Sequence, residues 1–306
     1  MPARFVMSVG PGQVGDTPPD SGRLIHAAVL NTCRSWQEEL GEHLHRGRHA
    51  GTALRHLPEQ VANQYAGPQS SPLAVTPLIL VGEPGEYRFE VGVLDDSLVS
   101  PVAQAFEAAD ELHIGPRLTV PVTRIDVFPC WYGTLGSTTA DHWTIQLETA
   151  TGLYTSGGPD DGPRRALPMP DIGELLTRLA RRHDDFAPEP LPAAIGELVG
   201  RYLVITDFKI QSAVHTIKVS GRQRTRRRGA KGAIGLELLQ PDRHTSVLRH
   251  GLDVLLDFAN YAGLGHQTTK GMGYTVVSPS DAPQSTKRRK ASNERNRATG
   301  LAAVRR

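Results

Sequence analysis

Residues 252–275 read LDVLLDFANYAGLGHQTTKGMGYT. Apolar residues recur at helical spacing up to Ala262, polar residues with four glycines follow, and β-branched residues take over after Tyr274, so the stretch reads as a helix, a glycine-rich turn and a strand. Gly263, Gly265, Gly271 and Gly273 bracket Lys270 and the hydroxyls of Thr268 and Thr269. Glycine permits close backbone approach and exposes N–H groups, which an anionic phosphate requires. The stretch is not a P-loop: that motif follows a strand and opens a helix, whereas this one leaves a helix and enters a strand. A helix C-cap followed by a bulge before an edge strand accounts for the same glycines, and spacing alone leaves both readings open.

Working back along the chain, this helix and strand close an alternation that occurs twice. In the first pass, a strand at residues 4–9 is followed by a helix over 23–44, where Leu24, Ala27, Ala28, Leu30, Asn31, Trp36, Leu40 and Leu44 recur largely at three- and four-residue steps. A hairpin over 72–81 and 87–93 turns at Gly82–Gly85, a helix spans 97–109, and an apolar alternation runs from Leu118 to Val127. After Tyr132 the pattern restarts. A strand at 143–148 leads through a glycine- and proline-rich loop to a helix at 172–182. Strands at 202–206 and 208–219 follow, then a basic loop, a strand at 233–239, the helix at 247–262 and a last strand at 272–277. Strands interspersed with two helices in each pass predict an α+β chain of two tandem ferredoxin-like (RRM-like) units. Residues 1–132 form the first, 133–278 the second, and 279–306 a disordered basic tail lacking apolar periodicity.

The 306 residues carry 34 Lys and Arg against 32 Asp and Glu, a net charge of +2, so overall charge does not announce a polyanion partner. Its distribution says more. Arg222, Arg224, Arg226, Arg227, Arg228 and Lys231 fall within ten residues that contain no acid, and a second basic cluster begins at Lys287. Such a run is either a solvated hairpin tip or a phosphate-neutralising surface. Cys33 and Cys130 are the only cysteines and form no CxxC, which argues against a disulfide framework or a structural zinc site. Asp95-Asp96 and Asp160-Asp161 lack a third ligand at coordinating spacing, which disfavours a metal-dependent nuclease. No apolar run reaches the length of a membrane span and the N-terminus lacks signal-peptide character, so the expected address is cytoplasmic, with no membrane partner.

The segment Leu252 to Thr275, with its Ala-Gly-Leu-Gly and Gly-Met-Gly, resembles the glycine-rich signature of the CRISPR-associated pre-crRNA-processing endoribonucleases of the RAMP superfamily. Other pieces agree in order: a first helix ending in Leu44-His45, the early strand at 71–78, and Val93-Leu94-Asp95-Asp96-Ser97-Leu98 opening the second helix. The central segment at 143–154 with Leu167-Pro168-Met169-Pro170, and Gly232-Ala233-Ile234-Gly235 after the basic run, complete a resemblance over about residues 20–277. It implies two RRM-like units that bind CRISPR repeat RNA, as precursor and as mature guide, and cut it without metal or cofactor. In that reaction a 2′-OH attacks the adjacent phosphate, leaving a 2′,3′-cyclic phosphate and a 5′-OH.

Such a transfer needs a base, an acid and cationic groups for the developing phosphorane charge. The resemblance places the general acid/base histidine at His45, since imidazole holds both protonation forms near neutrality. Arg48 and His49 are candidates for the role of a family lysine whose ungapped counterpart here is Gly51; a first-helix tyrosine of some relatives falls on Leu30. Arg46, the basic run from Arg222 to Lys231, the four glycines and Lys270 are expected RNA contacts. Without the resemblance, His43, His45, His49 and His56 read equally as polar residues on a solvated helix end, and His26 reads as a packing residue of the first helix. The competing expectation is a non-cleaving RNA-binding subunit that assembles with other CRISPR effector subunits.

Overall fold

The computed structural model describes residues 2–10, 21–46, 71–81, 86–115, 118–154, 166–167, 171–218 and 224–280. The expected basic tail, Arg48, His49 and Arg222 lie outside them. Among the described residues no helix is long and apolar enough to cross a membrane.

The chain forms two tandem ferredoxin-like folds, each a βαββαβ unit with helices on one face of an antiparallel sheet. In the first, β1 (Ala3–Val9) leads to α1 (Ser21–Trp36) and α2 (Glu38–Arg46), then β2 (Leu73–Val75), β3 (Ile79–Leu80) and β4 (Tyr87–Val93). Helix α3 (Asp96–Glu107), β5 (Glu111–His113) and β6 (Thr119–Pro129) complete it, with sheet order β2-β4-β1-β6-β5 and β3 beside β4. Alternation sets the faces: Ala3, Phe5, Met7 and Val9 are buried under the helices, whereas Arg4, Val6 and Ser8 point to the other side. Asp95 caps α3 by accepting from the Ser97 amide.

In the second unit β7 (His142–Thr151) is followed by the short pair β8 (Leu153–Tyr154) and β9 (Ala166–Leu167). Then come α4 (Ile172–Phe186), α5 (Ile195–Arg201), β10 (Leu203–Lys218), β11 (Arg224–Leu238), α6 (Ser246–Ala262) and β12 (Thr275–Pro279). The sheet order is β10-β11-β7-β12. Each unit has its own apolar core, one around Phe5, Phe89 and Phe106, the other around Ile145, Leu176, Leu255 and Phe258. The last turns of α6 also pack against the first unit, where a Cβ on Gly92 would lie 2.1 Å from the Tyr261 carbonyl oxygen. A helix covered on more than one side is apolar around most of its circumference, as its sequence is.

Several elements differ from the sequence reading: helix α5 was not expected, and the strands expected at 202–206 and 208–219 form the single strand β10. The first helix is two helices that break at Gln37, and α2 folds back on α1 with Arg34 pairing Glu42 at 3.1 Å. A Cβ on Gly41 would sit 2.1 Å from the Arg34 side chain and 3.1 Å from the Leu30 carbonyl, so the break delivers a glycine at the crossing. The strand expected over 72–81 is interrupted at Thr76, whose hydroxyl accepts from the Glu90 amide at 2.8 Å. The basic run expected as a loop is strand from Arg224 onward, paired residue for residue with β10 from Lys218↔Arg224 to Leu203↔Leu238, with one register shift near Asp207.

Candidate functional site

Leu44 is fully buried and anchors the last turn of α2, which leaves the neighbouring His45 exposed. The Ser71 hydroxyl donates to the Leu44 carbonyl at 3.1 Å and fixes that turn against the chain entering β2. Because α2 folds back, the His45 ring lies 6.2 Å from the His26 ring, the planes inclined by 46°. In one unbroken helix these residues would be about 28 Å apart along the axis.

His26 is thus part of the site, although its periodicity reads as packing. Its Nδ1 is buried and has no hydrogen-bond partner among the described residues. Burial, and then the charges of His45, Lys270 and Arg34, lower its pKa from 6.5 to about 4, so it is neutral at physiological pH.

Lys270 arrives from the second unit through the glycine-rich segment. Gly22 opens α1, and a Cβ there would meet the Lys270 carbonyl oxygen at 2.5 Å and the Gly271 Cα at 2.7 Å. Gly22 and His26 are one turn apart on the same helix face, so the backbone contact that seats Lys270 on α1 brings its charge close enough to lower the His26 pKa. Gly271, at φ +82°, and Gly22 must both lack side chains for this crossing to form.

Protein atoms fill the space beside the remaining glycines. A Cβ on Gly263 would lie 2.7 Å from the Gly273 carbonyl, one on Gly265 2.7 Å from that of Gly152, and one on Gly273 2.0 Å from that of Leu264. The amides of Leu264, His266 and Gly273 donate to the carbonyls of Gly273, Gly152 and Ala150. His266 also meets the Arg178 guanidinium through Nε2 at 2.9 Å. The segment therefore works as a clamp that seats Lys270.

Of the other expected contacts, Arg46 ends α2 and Arg224 starts β11. Arg226, Arg228 and Lys231 are exposed on β11 and Arg227 is half-buried. Register puts Arg226 and Arg228, opposite Thr216 and Val214, on one face of the β10–β11 ribbon, and Arg227 and Lys231, opposite His215 and Gln211, on the other. Strand β11 is paired to β7 only from Ala230 onward, so Arg224 to Gly229 belong to a two-stranded arm. Among the described residues, no group of three or more His, Cys, Asp and Glu side chains gathers as a metal would require.

Sequence reasoning assigned His45 and Lys270 separately and did not find their meeting point. The four-residue step from Gly22 to His26 was the available signal, and it acquires meaning only once Gly271 is seen to rest on Gly22.

Residues 146–275 match the model of the family described as CRISPR-associated endoribonuclease Cas6. No curated protein matches the sequence. Among solved structures, the fold is similar to that of the Cas6 (TTHB231) product complex, at 23% identity over 91% of this chain and 99% of that one, with a TM-score of 0.69; TTHB231 is from Thermus thermophilus. It is also similar to the Cas6 (TTHA0078) product complex, at 17% identity over 90% and 99% of the two chains, TM-score 0.65. A RAMP protein described as binding different RNA substrates matches at 13% identity over 90% and 99%, TM-score 0.53.

Proposed function

We infer that this chain, whose residues 146–275 match the Cas6 family model, is a member of that family and a CRISPR RNA-processing endoribonuclease with His45, His26 and Lys270 at its reacting centre. The observation that carries the reading is the meeting of two imidazoles 6.2 Å apart within reach of the charge of Lys270. Two imidazoles that close can reach one phosphodiester lying in front of both, one directed at its attacking 2′-oxygen and the other at its departing 5′-oxygen. His26, held neutral, takes the proton from the 2′-OH as the O2′–P bond forms. His45 gives a proton to the 5′-oxygen as the P–O5′ bond breaks, leaving a 2′,3′-cyclic phosphate and a 5′-OH.

Lys270 balances the charge that builds on the non-bridging oxygens, with Arg46, Arg48 and His49 supplying further cationic or donor groups around the same phosphate. The exposed cations of the β10–β11 arm hold the phosphates of the repeat away from the cut. Product complexes of the TTHB231 and TTHA0078 Cas6 proteins and a RAMP protein binding different RNA substrates, which share this fold, support the substrate class.

The test incubates the protein with RNA carrying the repeat of its own locus in EDTA, comparing wild type with His45→Ala. The expected result is one cut per repeat with cyclic-phosphate ends, slowed about 10²- to 10⁴-fold in the variant while RNA affinity survives. Tight binding without cleavage in either protein would instead identify a non-cleaving RNA-binding subunit, and cleavage abolished by EDTA would remove the metal-independent mechanism.

A further inference from the structure

Arg182 lies on α4 in the second unit, on none of the surfaces assigned to RNA, and its guanidinium donates to four acceptors in three other chain segments. Nη1 donates to the Ala262 carbonyl at 2.7 Å and to the Thr268 hydroxyl at 2.9 Å. Nη2 donates to the Ser71 and Leu73 carbonyls at 2.9 and 3.1 Å. The first pair of acceptors closes α6 and opens the 3₁₀ turn Thr268–Lys270. The second pair lies at the start of β2 in the other unit.

Each arm of this fork stops one step from the reacting centre. Thr268 is two residues from Lys270. Ser71, whose carbonyl accepts from Arg182, uses its own hydroxyl to hold the Leu44 carbonyl beside His45. Two ends of a site contributed by different halves of the chain are thus referred to one planar cation. The rigid geometry of a guanidinium fixes the angle between its two donor edges, which a lysine cannot do. The cost is visible: burial lowers the Arg182 pKa to about 10, against the favourable fields of Tyr132 and Asp185.

We propose that Arg182 is a positioning residue for RNA cleavage: through Ser71 and Thr268 it sets the distance between His45 and Lys270, and so governs the chemical step without touching RNA. This rests on the reading of His45, His26 and Lys270 as the cleavage site. A misplacement of about 1 Å in such a site costs on the order of 10²-fold in rate.

The experiment measures single-turnover cleavage of the repeat RNA at saturating protein, and the Kd of the same RNA with a 2′-deoxy block at the cut, for Arg182→Met, Arg182→Lys and Ser71→Ala. Arg182→Met is expected to slow cleavage about 10²-fold. Arg182→Lys, which keeps the charge but not the fork, and Ser71→Ala, which cuts the link to Leu44 together with the hydroxyl's acceptance from the Leu73 amide, should each slow it about tenfold. In all three Kd should stay within about threefold of wild type, a split between chemistry and binding that loss of fold would not give. If Arg182→Met does not fold, the two milder variants decide. Folded Arg182→Lys and Ser71→Ala proteins that cut at the wild-type rate would overturn the proposal, as would a Kd that rises in step with the loss of rate. Wild-type protein that does not cut would remove the cleavage reading and this role with it. Cleavage that His45→Ala abolishes but Arg182→Lys leaves intact would remove this role alone.

Discussion

Lys270 is one of three cationic neighbours that depress the His26 pKa, the others being His45 and Arg34, and only burial outweighs them. Replacing it with an apolar side chain of similar length therefore has two consequences. In Lys270→Met, the His26 imidazole should titrate above its wild-type value of about 4, read by NMR. Single-turnover cleavage should fall about 10²-fold as the phosphorane loses a cation. An unmoved titration would place Lys270 away from His26. The same depression fixes a pH dependence of stability. Unfolded His26 titrates near 6.5 and folded His26 near 4, so between those values the unfolded chain binds the extra proton and stability rises with pH. The contribution is complete above 6.5 and disappears as pH falls through 4, amounting to at most about 3 kcal/mol. His26→Gln should flatten the Tm-versus-pH curve in that window; an unchanged slope would show that another group carries it.

At the scale of elements, the site depends on two contacts that bring distant pieces of chain together: the turn at Gln37 and the Gly22–Gly271 crossing. Gly22→Ala tests the second. Its Cβ would meet backbone, the Lys270 carbonyl at 2.5 Å and the Gly271 Cα at 2.7 Å, and cannot be accommodated by rotating a side chain. We expect a loss of about 1–3 kcal/mol and slower cleavage, because Lys270 is pushed from His26; a variant with wild-type Tm and rate would show that the crossing is not needed. These contacts also explain what the sequence made legible. Strand alternation and helical periodicity are local properties, so β1, β4, β7, α4 and α6 could be read near their true positions. The break at Gln37 could not, because Trp36, Gln37 and Glu38 include neither glycine nor proline, and what favours it is the burial of Leu40 and Leu44 against α1. The strand character of Arg224 to Lys231 was hidden for the opposite reason: a run of cations has no alternation, and its pairing with β10 is set by the flanking residues. Arg182 carried no signal at all, since its four acceptors are a hydroxyl and three carbonyls scattered between residues 71 and 268.

Across the whole molecule, the proposed function puts chemistry and RNA grip on different elements. His26 and His45 come from the first unit, Lys270 from the glycine-rich segment of the second, and the exposed cations of β11 from a two-stranded arm that leaves the sheet before Ala230. Phosphate contacts act through counterion release, so each one adds about 0.7 to 0.9 to the slope of log K against log salt, whereas an acid or base adds to rate and little to that slope. Arg226→Ala in the arm and Lys231→Ala, on the opposite face of β11 just where it joins the sheet, separate the two functions. If both faces meet RNA, each variant lowers the salt slope by about one and leaves the single-turnover rate at saturating protein unchanged. His45→Ala should do the reverse, losing rate at constant slope. If only one ribbon variant changes the slope, RNA lies along that face alone; if neither does, the arm is not the grip and the phosphates are held elsewhere. A fall in the saturated rate for either variant, with the slope intact, would mean that β11 reaches the reacting phosphate and that grip and chemistry are not separate in this fold.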